Sequence, residues 1–478
     1  MKKIDRRGFL RASALAPAAA SMAPADADSL PPAPTDVTRR LAAWVVSSRR
    51  EDVPAAVRRE ARRTLLNWVG CAVGGSHHET VAAAVQGLGP FCGPPQASVI
   101  GRKERFDVLH TALINGISSH IFDFDDTHLR TVIHPAGPVA PALLAFAEYR
   151  GVSGADLLHA LILGVEVECR IGNAVSPQHY DVGWHITGTV GPFGAAAATG
   201  KLLGLSEQQM RWALSLAATQ PVGLREMFGT MTKSFHPGRA AHNGLTAAFL
   251  AERNYTGSDQ PLEAPRGWAN VLSTARNYDE ITGHLGEHYE ISVNSYKPFP
   301  CGVVIHPAVD GVLQLRKQYG LEAAQIERID LRVHPHVLEL TGKREPRTGL
   351  EAKFSIYHAV AAAIVNGRLG EAEFSDRAVL DAATIALRRR VTTTVDSTIA
   401  DDQVRIAIVL KDGRRLDKYI EHAIGSAQNP MTDSQLEAKF QGLAEGILPA
   451  ERVRRLMDLC WNIEQLTNAA ELSRAAAG

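Results

Sequence analysis

From about Pro32 to Gly257 the apolar positions recur at helical spacing almost without interruption. In EDVPAAVRREARRTLLNWVGCAVGG, Val57, Ala61, Leu65 and Trp68 share one face. Asp52 reads as the cap, Pro54 as a first-turn residue and Gly74-Gly75 as the stop. SGADLLHALILGVEVECRIG opens on Ser153, with Asp156 at capping-box spacing. It is apolar nearly all round, as a helix buried between others should be. LSEQQMRWALSLAA repeats the device with Ser206 and Gln209, and GRAAHNGLTAAFLAER adds an Ala-rich helix suited to close packing. The pattern predicts an all-helical domain over residues 32–292.

The pattern changes at ISVNSYKPFPCG, where Pro298 and Pro300 break any helix. Beyond it, Ile329, Leu331 and Val333 alternate as in a half-buried strand. QVRIAIVLKDGRRLDKYI reads as two strands around Asp412-Gly413, a hairpin signal. FSIYHAVAAAIVNGRL and DRAVLDAATIALRRR are helical stretches between them. Residues 293–429 are therefore expected to form a smaller α+β domain. NPMTDSQLEAKFQGLAEGIL then begins C-terminal helices, residues 430–475, returning to pack on the first domain. The fold class predicted is mainly α, a large helical domain with a smaller α+β one.

At 478 residues the chain exceeds one ordinary core. Lys+Arg and Asp+Glu balance at 51 each, so no nucleic-acid footprint is indicated. No apolar run is long enough to span a membrane. Five scattered cysteines without a C-x-x-C pair suggest neither a disulfide framework nor a zinc site. Residues 1–27 differ: a basic start with Arg6-Arg7, a weakly apolar Ala-rich run and Ala25-Asp26-Ala27 describe a twin-arginine signal peptide. That predicts a periplasmic or secreted protein.

The candidate chemistry begins at IFDFDDTHLR, residues 121–130, which imitates the first motif of haloacid-dehalogenase-type phosphatases. Such a motif must end a buried parallel strand. Here the lead-in TALINGISSH has no β-branched run, and the Mg²⁺-holding partners are missing. GAAAATGKL likewise fails as a phosphate loop, because Leu202 stands where a Ser/Thr is needed. Four polar stretches remain: DFDDTHLRTVIHPAGP with Asp123, Asp125, Asp126, Thr127, His128 and His134; HYDVGWHITGT with His185; GTMTKSFHPGRAAHNG with Lys233, His236 and Arg239; KPFPCGVVIHPA with Lys297 and His306. They hold no covalent nucleophile and no obvious metal cage. Histidines that exchange protons near neutrality, and a lysine at a helix start, suit acid–base chemistry on a small anion.

At these stretches the sequence resembles the MmgE/PrpD family, which includes 2-methylcitrate dehydratase, cis-aconitate decarboxylase and iminodisuccinate epimerase. The matching pattern is D-F-D-D-T then H-P-x-G, G-[FW]-H-x-T-G-T, T-K-x-x-H-x-G-x-A-A-x-N-G, and K-P-[FY]-P-C with a His five residues after the Cys. The resemblance implies a helical domain with an α+β lid, a homodimer, and no metal or organic cofactor. It implies a pocket lined by Asp123, Thr127, His134, His185, Lys233 and His306. One departure stands out: FSIYH puts His358 where the family often has a tyrosine.

The expected activity is a lyase acting on a small di- or tricarboxylic acid, most simply by dehydration. His134 and His185 would serve as base and acid, Lys233 would hold a carboxylate, and Asp123 would orient a histidine. Thr127, His306, His236 and His358 would bind substrate. Decarboxylation, epimerisation and an exported carboxylate-binding protein without catalysis are the alternatives.

Overall fold

A computed structural model describes residues 36–478; the expected signal peptide, residues 1–27, lies outside them. The described chain is mainly helical, with a small sheet region in its C-terminal part. Most predicted helices form with the predicted caps. Ser153 caps Gly154–Val175, its hydroxyl accepting from the Asp156 amide at 3.1 Å. Ser206 and Gln209 complete a capping box at Glu207–Ala218. Asp52 is a correction: the helix Ala55–Gly75 starts after Pro54, and Asp52 instead receives the Arg49 guanidinium at 2.9 Å. The GAAAATGKL segment is helical and runs on to Leu203, stopped by Gly204 in the left-handed region at φ 66°.

The sheet has four strands in the order Val391–Val395, Ile326–Val333, Val404–Leu410, Arg415–Ile420. Its last two strands are the expected hairpin, turning through Gly413 at φ 87°. Val391–Val395 is parallel to Ile326–Val333 and was not anticipated, since VTTTV carries too little apolar alternation to read as a strand. One apolar cluster gathers residues from Phe299 to Ala423 around this sheet. Another joins Leu65, Trp68, Leu143 and Leu161 to Leu436, Phe440 and Leu456, so the C-terminal helices do pack on the N-terminal ones. Among the described residues no helix is long and apolar enough to cross a membrane.

Two features of the fold position the site. The first is a short antiparallel ribbon: Asp126–His128 pairs with Asn294–Tyr296, with Asp126 opposite Tyr296 and His128 opposite Asn294. It ties the acidic motif to the segment that precedes Lys297. The second is the crossing of Val108–His120 with Thr232–Glu252 at Gly116 and Gly238. A Cβ on Gly116 would stand 2.5 Å from the Gly238 Cα, and one on Gly238 2.3 Å from the Leu113 carbonyl oxygen. This backbone contact brings the C-terminal end of one helix, His120, to the N-terminal turn of the other, Lys233.

Gly238→Ala should therefore force the helices apart, lowering stability by about 1–3 kcal/mol. Thermal unfolding checks it; an unchanged melting temperature would show that the contact is not tight.

Candidate active site

The acidic motif follows a helix and not a strand, which removes the geometry a phosphatase needs. Val108–His120 ends, a turn closes from the Asp123 amide to the His120 carbonyl at 2.9 Å, and Asp123 takes φ 51°. A non-glycine residue in that region is uncommon. Here the conformation turns the carboxylate onto two ammonium groups: Asp123 Oδ1 accepts from Lys233 Nζ at 2.8 Å and from Lys297 Nζ at 2.9 Å. Lys297 Nζ also donates to the Asp123 carbonyl at 3.1 Å. All three residues are buried. Burial works against the Asp123 charge, but Lys233 and Lys297 more than reverse it, so the carboxyl titrates far below its ordinary range.

The histidine expected to lean on Asp123 leans on Asp125. His120 donates from Nδ1 to Asp125 Oδ2 at 2.7 Å, and its Nε2 accepts from Lys233 Nζ at 2.8 Å. Burial pulls the His120 pKa down to about 3, so the ring is neutral at physiological pH. His134 Nδ1 lies 2.8 Å from the Asp126 carbonyl and 3.3 Å from Asp125 Oδ1. Both oxygens only accept, so Nδ1 carries the proton and Nε2 keeps its lone pair in the neutral ring. That Nε2 stands 3.9 Å from Asp123 Oδ1. The Asp125 carboxyl is also held well below its usual range, burial being outweighed by His120 and His134. Asp123 is thus the ammonium holder and Asp125 the histidine holder, which corrects the expected role.

Asp123, Thr127, His134, His185, Lys233 and Lys297 line one small cavity, about 50 Å³, with Tyr180 and Phe228. Gly302, Val303, Val304, Leu340, Thr341 and Phe354, from the segment that carries the sheet, roof it. Lys233 Nζ lies 5.3 Å from the Phe228 ring centroid and 5.7 Å from that of Phe354. His185 immediately precedes the helix Ile186–Leu203, and its Nδ1 meets His236 Nδ1 at 2.8 Å, one ring donating to the other. Burial, then the Lys233 charge, holds His185 well below its usual pKa. His236 therefore stands behind His185 and does not line the cavity.

His306 and His358 are placed differently from expectation. His306 lines a neighbouring cavity together with Thr127, Ser295 and Lys297, and donates from Nε2 to the Cys301 carbonyl at 3.2 Å. His358 lies outside both cavities. Its Nε2 donates to the Glu373 carbonyl at 2.9 Å and its ring packs on Phe374, so it is a core residue of the Ile356–Asn366 helix. Phe354, four residues earlier, is the side chain of that segment that reaches the cavity.

His120, Tyr180, Phe228 and Phe354 were not singled out from sequence. His120 closes the helix Val108–His120 directly after Ser118 and Ser119, a place that packing histidines share. Asp125 and Lys297 stand in the quoted stretches, but only their partners distinguish them.

Nitrogen and carboxylate atoms of His120, Asp123, Asp125 and His134, or of His120, His134 and His185, come within 4.8 Å of one another. Both His120 nitrogens are already committed, and a cation here would have to displace the Lys233 ammonium. Lys233 Nζ is bonded to two of these atoms, His120 Nε2 and Asp123 Oδ1.

The MmgE/PrpD N-terminal domain matches residues 39–281 and the MmgE/PrpD C-terminal domain residues 299–463. The cis-aconitate decarboxylase-like protein oryM of Aspergillus oryzae is 28% identical, over 93% of this chain and 98% of the relative. Cis-aconitate decarboxylase of Mus musculus is 28% identical, over 92% and 93% respectively. 2-Methylcitrate dehydratase of Escherichia coli is 24% identical, over 84% and 88%. Matched by the two family domains along most of its length, the chain belongs to the MmgE/PrpD family.

Proposed function

We propose that the protein is a lyase that breaks a bond next to a carboxylate in a small di- or tricarboxylic acid. The observation that carries this is the pairing of Lys233 and Lys297 on one Asp123 oxygen, beside the free Nε2 of His134. Two ammoniums against one carboxylate leave a net positive charge facing the cavity, which suits an anionic substrate. Each lysine has N–H capacity left for a substrate oxygen. As negative charge moves onto the substrate carboxylate, the prearranged ammoniums stabilise it.

In dehydration, His134 Nε2 takes the proton α to a carboxylate, the C–O bond to the β-hydroxyl breaks, and a C=C bond forms. His134, now an imidazolium, returns that proton to the departing hydroxyl, which leaves as water, while His185, held neutral by burial and backed by His236, stands beside it. The roof residues Val303, Leu340 and Phe354 would exclude bulk water during the step. A lone pair already turned toward the cavity supports this base-first order. Decarboxylation is the second reading, supported by similarity to decarboxylases over more of the chain. There the C–C bond to a carboxylate breaks, CO₂ leaves, and a protonated histidine supplies the proton to carbon.

Incubating the purified protein with hydroxy- and unsaturated di- and tricarboxylic acids separates the two. New C=C absorbance from a hydroxy acid without CO₂ marks dehydration, and CO₂ release from an unsaturated acid marks decarboxylation. No turnover of any acid would defeat the lyase reading. His134→Ala and Lys233→Ala should each lower kcat by roughly 10² or more, and near-wild-type rates in both would remove these roles. Asp125→Asn should lower kcat with little change in KM, because the carboxylate charge that His120 Nδ1 donates to and His134 Nδ1 faces is removed; steady-state kinetics reads this directly.

A further inference from the structure

The C-terminal helix Asp433–Ala444 is remote from the site in sequence, yet one of its side chains ends beside it. Lys439 Nζ donates to three oxygens: Asn67 Oδ1 at 2.7 Å, the Phe124 carbonyl at 2.5 Å and the Lys297 carbonyl at 2.9 Å. Its ammonium also lies 3.9 Å from the Phe124 ring centroid. Three N–H groups meet three neutral acceptors, so this is a clamp on oxygens and not an ion pair. Phe124 sits between Asp123 and Asp125, and Lys297 is the second ammonium on Asp123. Lys439 therefore joins, through backbone, the same two segments that the Asp123–Lys297 contact joins through side chains.

We propose that Lys439 is a positioning residue: from the C-terminal helix it holds the Phe124 and Lys297 carbonyls together and so sets the geometry of the Asp123–Lys297 pair. Its kinetic consequence rests on the lyase reading; the clamp itself does not. The arrangement requires the ammonium form, because a neutral amine offers two donors and turns a lone pair on the third oxygen. Burial lowers the Lys439 pKa to about 8; Cys71, Asp125 and Asp126 favour its charge and Lys297 opposes it. The clamp is complete below that pH and loosens above it.

Hydrogen exchange followed by mass spectrometry tests the clamp without substrate. Lys439→Met should speed exchange in both segments 121–128 and 294–300 by about tenfold or more, leaving the hairpin 404–420 unchanged. Unchanged exchange in the two segments overturns the clamp. Should the Met variant not fold, wild type and Lys439→Arg are compared across pH. After correction for intrinsic rates, exchange in both segments rises above about pH 8 in wild type but not in the Arg variant, whose guanidinium stays charged. Identical behaviour of the two overturns it. With a substrate in hand, Lys439→Met should lower kcat/KM by about tenfold or more, and Lys439→Arg should move the alkaline limb of the pH profile upward. Loosened segments in a protein that turns over no acid would defeat the lyase reading and leave the clamp standing.

Discussion

Everything in this site depends on one buried carboxylate, Asp123, shared by two buried ammonium groups. Taking three charges out of water is costly, and their mutual attraction offsets that cost only with close geometry and satisfied hydrogen bonds. The close geometry draws on three distant parts of the chain. Lys233 comes from the first turn of a helix held against its neighbour at Gly116 and Gly238. Lys297 comes from the end of a three-residue ribbon strand. Asp123 comes from a turn in the left-handed region. Removing Asp123 leaves two buried ammoniums without their shared counter-charge, so the chemistry and the local fold cannot be separated here.

Around that cluster, carbonyl oxygens decide the proton positions. A carbonyl only accepts, so each histidine bonded to one has its tautomer set by the backbone: Nδ1–H in His134, Nε2–H in His306 and in His358. The consequence differs with what the other nitrogen faces. In His134 it is a cavity beside Asp123. In His358 the other nitrogen is buried without a partner in apolar surroundings, which makes that residue part of the core. Three histidines carrying the same kind of bond thus serve different ends because their second nitrogens point into different environments.

Long periodic segments were legible in sequence, and so were their caps at Ser153 and Ser206 and the hairpin at Gly413, because these features rest on residues a few positions apart. The membership of the cavity was largely legible too: Asp123, Thr127, His134, His185 and Lys233 all line it. Elements without a local signal were missed. A three-residue strand such as Asp126–His128 is too short to show alternation, and Val391–Val395 is mostly threonine. His120 was passed over because a single histidine at the end of a helix has no distinguishing neighbours.

By itself, then, the order of residues determined the helices, the hairpin, the family and most of the polar set, since propensity, capping and periodicity act over one or two turns. Only the tertiary structure decided which carboxylate serves which base. Asp123 and Asp125 are two residues apart and chemically alike. The first meets lysines 110 and 174 positions away; the second takes a histidine at the end of the preceding helix. That division rests on a backbone turn at φ 51° and a glycine–glycine helix crossing, whose effects appear only when distant segments touch.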